Sequence, residues 1–241
     1  MPMTTPLSLS QTVLASLETK ASFYYQSRIP ANTSLVVVSN HRSFMDAMLL
    51  MAAMERDICF ACHRYMGQVP VLSTLIQQLG CFPLDKPDRR QRDFFTQATL
   101  RLQTQQAVGI FPEGAQPMVR LPQQREITAF HRGFAHLALR SPVERLGVLP
   151  VAIAPHREVT QPMFPLQMLS WFDASEPLFT QGGWHPLVVY QDVSVLFGEP
   201  IWITSSQRTA YQGKQARSVV TDLTEQCRTE IYQLLRRGHW D

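Results

Sequence analysis

Short apolar runs rich in β-branched residues alternate along this chain with stretches whose apolar residues recur every three or four positions. Leu35-Val36-Val37-Val38, residues 58–62, Val108-Gly109-Ile110-Phe111 and residues 146–154 read as buried strands. Residues 187–190 and 193–197 read as two more. Helical spacing is clearest over 8–26, where Val13, Leu14, Leu17, Ala21 and Tyr24 share a face and Ser8 with Gln11 has the spacing of a capping box. Further helices are expected over 44–54, over 69–79 with Gly80 as the stop, over 94–105 and over 130–139. A closing helix carries Val220, Leu223, Cys227, Ile231 and Leu234 on one side, with Gly238 after it. Residues 85–92 read as a basic, proline-containing loop, and 155–186 as irregular and rich in Pro, Met and aromatics.

Strands alternating with helices imply a single α/β domain: a mainly parallel, mixed sheet flanked by helices, with amphipathic helices at both termini. The expected division is an N-terminal amphipathic helix over 1–30, a core over 31–205 and a C-terminal helix over 206–241 packed on the same domain. No internal repeat or linker divides the chain.

Composition narrows the picture. Of 241 residues, 45% are hydrophobic and only 17% are charged, below the usual quarter or so. Part of the surface is therefore not meant for bulk water. The net charge of +3 is too small to argue for nucleic acid, but it suits an anionic membrane surface or a phosphorylated substrate. No run approaches the roughly 18 to 20 apolar residues of a membrane span. The longest, 47–54, is eight residues and meets Glu55, Arg56 and Asp57. With no secretory signal pattern, the expectation is a cytoplasmic protein able to lie on the cytoplasmic face of a membrane. The first helix either packs on the core or docks on that surface. Cys59 and Cys62 form a C-x-x-C, but on a strand they face opposite sides and no second pair follows. Packed thiols are expected there, and no metal.

Four places carry candidate chemistry. Asn40-His41-Arg42-Ser43-Phe44-Met45-Asp46 lies where a buried strand ends and a helix begins, a favoured place for active sites. His41 and Asp46 meet if His41 stays in the loop and Asp46 enters the first helical turn. Ser43 as N-cap would put Asp46 at the third helical position. Phe111-Pro112-Glu113-Gly114 follows another buried strand. There a carboxylate could hold a substrate hydroxyl while glycine lets the backbone come close, or the four residues form an ordinary turn. Leu149-Pro150-Val151 reads by itself as core strand. Lys86-Pro87-Asp88-Arg89-Arg90-Gln91-Arg92 could hold a phosphate or be solvated.

Together and in this order, these pieces resemble the glycerolipid acyltransferases (the PlsC-like, lysophospholipid acyltransferase superfamily). Asn40-His41 through Asp46 matches the H-x-x-x-x-D block. Gly80-Cys81-Phe82-Pro83-Leu84-Asp85-Lys86 resembles the second block, with Lys86 where an arginine is usual. Phe111 to Gly114 matches the third and Leu149-Pro150-Val151 the fourth. Phe130-His131-Arg132-Gly133-Phe134-Ala135 and Gly198-Glu199-Pro200-Ile201 also resemble recurrent family stretches. The third block commonly continues Thr-Arg, whereas this chain has Ala115-Gln116.

The resemblance implies transfer of a fatty acyl group from acyl-CoA or acyl-carrier protein to a lipid hydroxyl, foremost that of 1-acyl-sn-glycerol 3-phosphate in phospholipid biosynthesis. No cofactor is implied. His41 would act as general base and Asp46 would fix its tautomer. Arg42, Lys86, Arg89, Arg90, Glu113, Gly114 and Pro150 are the expected substrate-binding residues. The absence of a G-x-S-x-G elbow favours direct transfer without an acyl-enzyme. A neutral hydroxylated lipid as acceptor, thioester hydrolysis and a catalytically silent lipid-binding protein are the competing readings.

Overall fold

The computed structural model describes residues 5–62, 64–68, 70–83, 87–114, 116–124, 126–169, 171, 179 and 182–237. Within them, eight strands form one sheet: β1 (Lys20–Tyr24), β2 (Ser34–Ser39), β3 (Ile58–Cys62), β4 (Phe82–Pro83), β5 (Ala107–Ile110), β6 (Leu146–Pro165), β7 (Trp184–Phe197) and β8 (Ile201–Trp202). Their order is β1-β7-β6-β2-β5-β3-β4, with β8 also on β6. The β6-β2-β5-β3-β4 ladder is parallel throughout, whereas β7 and β8 run antiparallel to β6. The chain is thus the expected single α/β domain with a mainly parallel sheet.

Every residue of β2 is buried, because helices cover both sheet faces. Val36 and Val38 join one core with Val108, Val148 and Ala152. Over it lie α4 (Pro87–Gln103), α6 (Gly133–Arg140) and α9 (Ala216–Arg237). Leu35 and Val37 join the other core with Leu149, Val151 and Ile153, under α2 (Asp46–Met54). The apolar run 47–54 is this α2, buried nearly all round because α1 (Pro6–Ser16) packs across its outer side.

Four expectations change. The helix expected over 8–26 ends at Ser16, the chain turns through Glu18 at φ 52°, and 20–24 becomes edge strand β1, paired with β7. Ala21 and Phe23, two apart, serve a strand as well as a helix and pack on the second core. The cap is Thr5, whose Oγ accepts from Ser8 N at 3.1 Å, with Pro6 opening the helix. The basic loop is largely helical, since Pro87 starts α4. Residues 155–186 are not irregular throughout: 155–165 continue β6 into a long hairpin with one continuous β7, through register shifts at Pro155/Arg157, Arg157/Glu158 and Pro162/Phe164. Finally, the chain beyond β8 forms two helices, α8 (Ser205–Gln212) and α9, broken at Gly213. Lys86, Ala115, Phe172 and Gly238 lie outside the described residues, as do the side chains of Phe164, Arg89 and Arg90.

Candidate active site

Because β2, β5 and β6 are adjacent and parallel, the segments leaving their carboxyl ends converge. Asn40, just past β2, exchanges two hydrogen bonds with Ile153: its Nδ2 donates to Ile153 O at 2.9 Å and its Oδ1 accepts from Ile153 N at 2.8 Å. The amide side chain thus extends the β2–β6 ladder by one rung and aims the next residue, His41, across the top of the sheet.

His41 Nδ1 lies 2.8 Å from Asp46 Oδ2. Asp46 stands at the first position of α2. Met45 occupies the cap position without a side-chain bond, so the expected Ser43 cap is not formed. The reason is that Asp46 Oδ2 accepts the amides of Arg42 (2.7 Å) and Ser43 (2.9 Å) ahead of the helix. Ser43 Oγ instead donates to Val188 O at 2.6 Å. The other oxygen of Asp46 accepts from Tyr190 Oη on β7 at 2.8 Å. Asp46 and Tyr190 are wholly buried, while the His41 side chain keeps 18% of its surface. Burial first, then Asp46, push the Tyr190 phenol well above its ordinary value, so it stays a donor at neutral pH.

A carboxylate acceptor on Nδ1 places the proton there and leaves the Nε2 lone pair for substrate. Nε2 has no hydrogen-bond partner among the described residues. The ring stacks on Phe111 (4.2 Å between centroids, 13°), and Phe111 stacks on Phe60 (5.2 Å, 10°). Gly109 makes room for this column, since a Cβ there would sit 2.1 Å from the Phe60 ring.

Glu113 is brought to the dyad, but its oxygens are taken within the protein. Oε1 accepts His41 N at 3.0 Å, and Oε2 accepts Thr128 N and Thr128 Oγ at 2.5 and 2.8 Å. It fixes the backbone beneath the His41 ring. Gly114 turns the chain at φ 68°, a region that suits glycine, with the His131 ring 3.4 Å from where its Cβ would be. Arg42 is also committed. Its Nε and Nη2 reach Glu158 at 2.8 and 2.5 Å, and Nη1 donates to Pro122 O. Burial opposes the charge, but the bond and charge of Glu158, with Tyr190 and Asp46 adding, hold the guanidinium above its usual range. Pro150 lies lower, inside β6 opposite Val38, and its carbonyl accepts Gly198 N at 2.8 Å. Gln116 starts a four-residue helix, α5 (Gln116–Val119), and is exposed.

Three residues around this cluster are not singled out by the sequence: Tyr190 and Glu158, which bond Asp46 and Arg42, and His185, which lies within electrostatic range of His41. All lie on the β6–β7 hairpin. His185 is held below the ordinary histidine range by burial, opposed by its Pro186 carbonyl contact, with His41 adding to the lowering. Among the described residues, no three His, Cys, Asp or Glu side chains cluster to hold a metal ion. Burial, with Cys81 and Cys59 respectively adding, pushes the thiols of Cys62 and Cys81 up to about 12 and about 11, which keeps them protonated.

The arrangement is a part-exposed imidazole whose Nδ1 meets a sealed carboxylate, with its other nitrogen unpartnered among the described residues, a geometry that could serve general-base chemistry. The family model described as Acyltransferase matches residues 20–154. No curated protein matches the chain closely enough to count as a relative. Among solved structures, the crystal structure of the 1-acyl-sn-glycerophosphate (LPA) acyltransferase PlsC from Thermotoga maritima shares the fold. The TM-score is 0.59 at 16% identity, over 98% of this chain and 80% of that one.

Proposed function

The chain belongs to the acyltransferase family, and from that premise we propose that it moves a fatty acyl group from acyl-CoA or acyl-carrier protein onto a lipid hydroxyl through His41 and Asp46. The observation that carries the reading is the 2.8 Å His41–Asp46 contact, with the base part-exposed and its partner sealed. The acceptor hydroxyl gives its proton to His41 Nε2 as its oxygen attacks the thioester carbonyl. The tetrahedral adduct collapses with loss of thiolate, and the imidazolium returns the proton to sulfur. General-base help of this kind contributes about 10² to 10⁴ in rate. Ser43 Oγ is buried and bonded to Val188 O, which supports direct transfer rather than an acyl-serine. The amides of His41, Arg42 and Ser43 are held by carboxylates, so the oxyanion donors lie elsewhere.

The preferred acceptor is 1-acyl-sn-glycerol 3-phosphate. Support comes from the basic start of α4, which follows β4 and so stands at the same carboxyl edge of the sheet as His41. Three strand spacings separate β4 from β2, roughly 14 Å, a distance on the scale of a lipid headgroup with its glycerol. The exposed, neutral Gln116 favours the second reading, a non-phosphate lipid. Comparing both acceptors in wild type and in Arg89→Ala and Arg90→Ala proteins tests this. A strongly raised KM for the phosphate acceptor alone supports it; efficient transfer to neutral lipids with none to the lysophosphatidate overturns it.

We propose further that the enzyme works at a membrane surface. No described helix is long and apolar enough to cross one. The apolar residues of α1 pack toward the core, which leaves the end of the β6–β7 hairpin as the docking element. Met163, Met168, Trp171 (79% exposed) and Trp184 (57%) project there. The same hairpin supplies Tyr190, Glu158 and Val188 O to the site, so docking by its end would bring the dyad to the lipid. Trp suits that boundary.

A further inference from the structure

A pocket of about 410 Å³ opens on the face opposite α2, between α6, α8 and α9. It is lined by Arg132, His136, Tyr211, Ala216, Arg217 and Val220. None of these is acidic. Arg132 and Arg217 are exposed and have no carboxylate partner among the described residues. His136 Nδ1 lies 2.9 Å from Tyr211 Oη, which fixes both groups against the pocket wall. Burial, then the charges of Arg140 and Arg132, hold His136 below its ordinary range, and no acid is among the causes. Arg132 immediately precedes α6 and Ala216 opens the 22-residue α9, so the positive ends of both helices add to the field of the two arginines. Fork-shaped guanidinium groups, a phenol and an imidazole together suit a dianionic phosphate monoester.

The pocket borders the catalytic loop. Arg132 follows His131, whose ring packs on Gly114, and Gly114 follows the Glu113 that holds His41 N. Because α6 precedes β6, which is parallel to β2, its first turn stands at the same sheet edge as His41. Pocket and His41 imidazole thus share one edge of the sheet, the arrangement needed for a donor anchored at one and reacting at the other.

We propose that Arg132 and Arg217 bind the terminal 3′-phosphate of a coenzyme A thioester, making this pocket the donor's anchoring site. The inference rests on the acyltransferase reading for its choice of ligand, but its test does not depend on turnover. Calorimetric titration of the intact protein with coenzyme A and with 3′-dephospho-coenzyme A should show the second binding roughly tenfold to a hundredfold more weakly. Arg132→Gln with Arg217→Gln should abolish that preference while leaving the fold unchanged, since both side chains are exposed. In assays, the double variant should raise KM for acyl-CoA at nearly constant kcat and leave transfer from acyl-pantetheine unaltered. A wild type that does not distinguish the two nucleotides, or a double variant that still does, would overturn the proposal. So would a KM effect confined to the phosphate acceptor, which would mean that the pocket holds that phosphate. Use of acyl-carrier protein as the only donor would also overturn it. Loss of all acyl transfer in the presence of intact, phosphate-dependent coenzyme A binding would instead strike the acyltransferase reading alone.

Discussion

Replacing Tyr190 with Phe removes one hydroxyl from a fully buried site and keeps the ring that fills it. The hydroxyl donates to Asp46 Oδ1 at 2.8 Å. A hydrogen bond to a charged group contributes about 1.5 to 3 kcal/mol, and Asp46 is sealed from water that could replace it. At neutral pH the variant should therefore be less stable by about that amount. In wild type, burial and then Asp46 raise the phenol well above 10.0. A group raised in the folded state contributes stability that is full below its unfolded value and is lost as pH rises toward the folded one. Above about pH 10 the wild type should thus lose up to about 1.4 kcal/mol per pH unit more than Tyr190→Phe. Urea melts between pH 7 and 11.5 would show a gap that is constant to about pH 10 and then closes. Other groups titrating in that range, the raised thiols included, are common to both proteins and cancel in the difference. Equal stability at pH 7, or a gap that stays constant to pH 11.5, would refute the reasoning.

Gly109→Ala would place a Cβ 2.1 Å from the Phe60 ring. Displacing the Phe60–Phe111–His41 column should cost about 1 to 3 kcal/mol and lower kcat, read by thermal melts and turnover together. Glu158→Ala leaves the buried Arg42 guanidinium without its bidentate partner. Loss of about 3 to 5 kcal/mol is expected from breaking such a pair, and a melting temperature within a degree of wild type would contradict it. Trp171→Ser with Trp184→Ser should reduce flotation with liposomes while leaving turnover on detergent-dispersed acceptor unchanged; undiminished flotation would remove the hairpin end as the docking element.

The parts of the site that sit in sequence beside strand ends were legible. Asn40 and His41 come just after the apolar run of β2, Asp46 opens the helix that follows, Glu113 comes just after the run of β5, and the parallel neighbours β2 and β5 bring them together. What closes over them was not. Tyr190 and Glu158 come from a hairpin whose prolines at 155, 162 and 165 and three register shifts erase the two-residue alternation by which a strand is read. The start of α4 was hidden for a different reason. Cationic residues normally mark a solvated loop, and only Pro87 hinted at a first helical turn. At β1, Ala21 and Phe23 fit both periods, and the choice was made by pairing with β7, a partner about 170 residues away. The surroundings of Glu113 were out of reach in a similar way. Its motif marks the right place, but its acceptors are His41 N and Thr128, contacts that a local reading does not contain.

The account stands on His41 as the base that activates an acceptor hydroxyl. The direct measurement is thioester consumption by purified wild type, His41→Ala and Asp46→Asn, each with and without lysophosphatidate, beside far-ultraviolet melts of each protein. Consumption should depend on acceptor in wild type. It should fall by at least about 10² in His41→Ala with little change in melting, because the ring lies in a loop above the core. It should fall strongly in Asp46→Asn, where tautomer control is lost. Near-normal, acceptor-dependent turnover by folded His41→Ala protein would contradict the account.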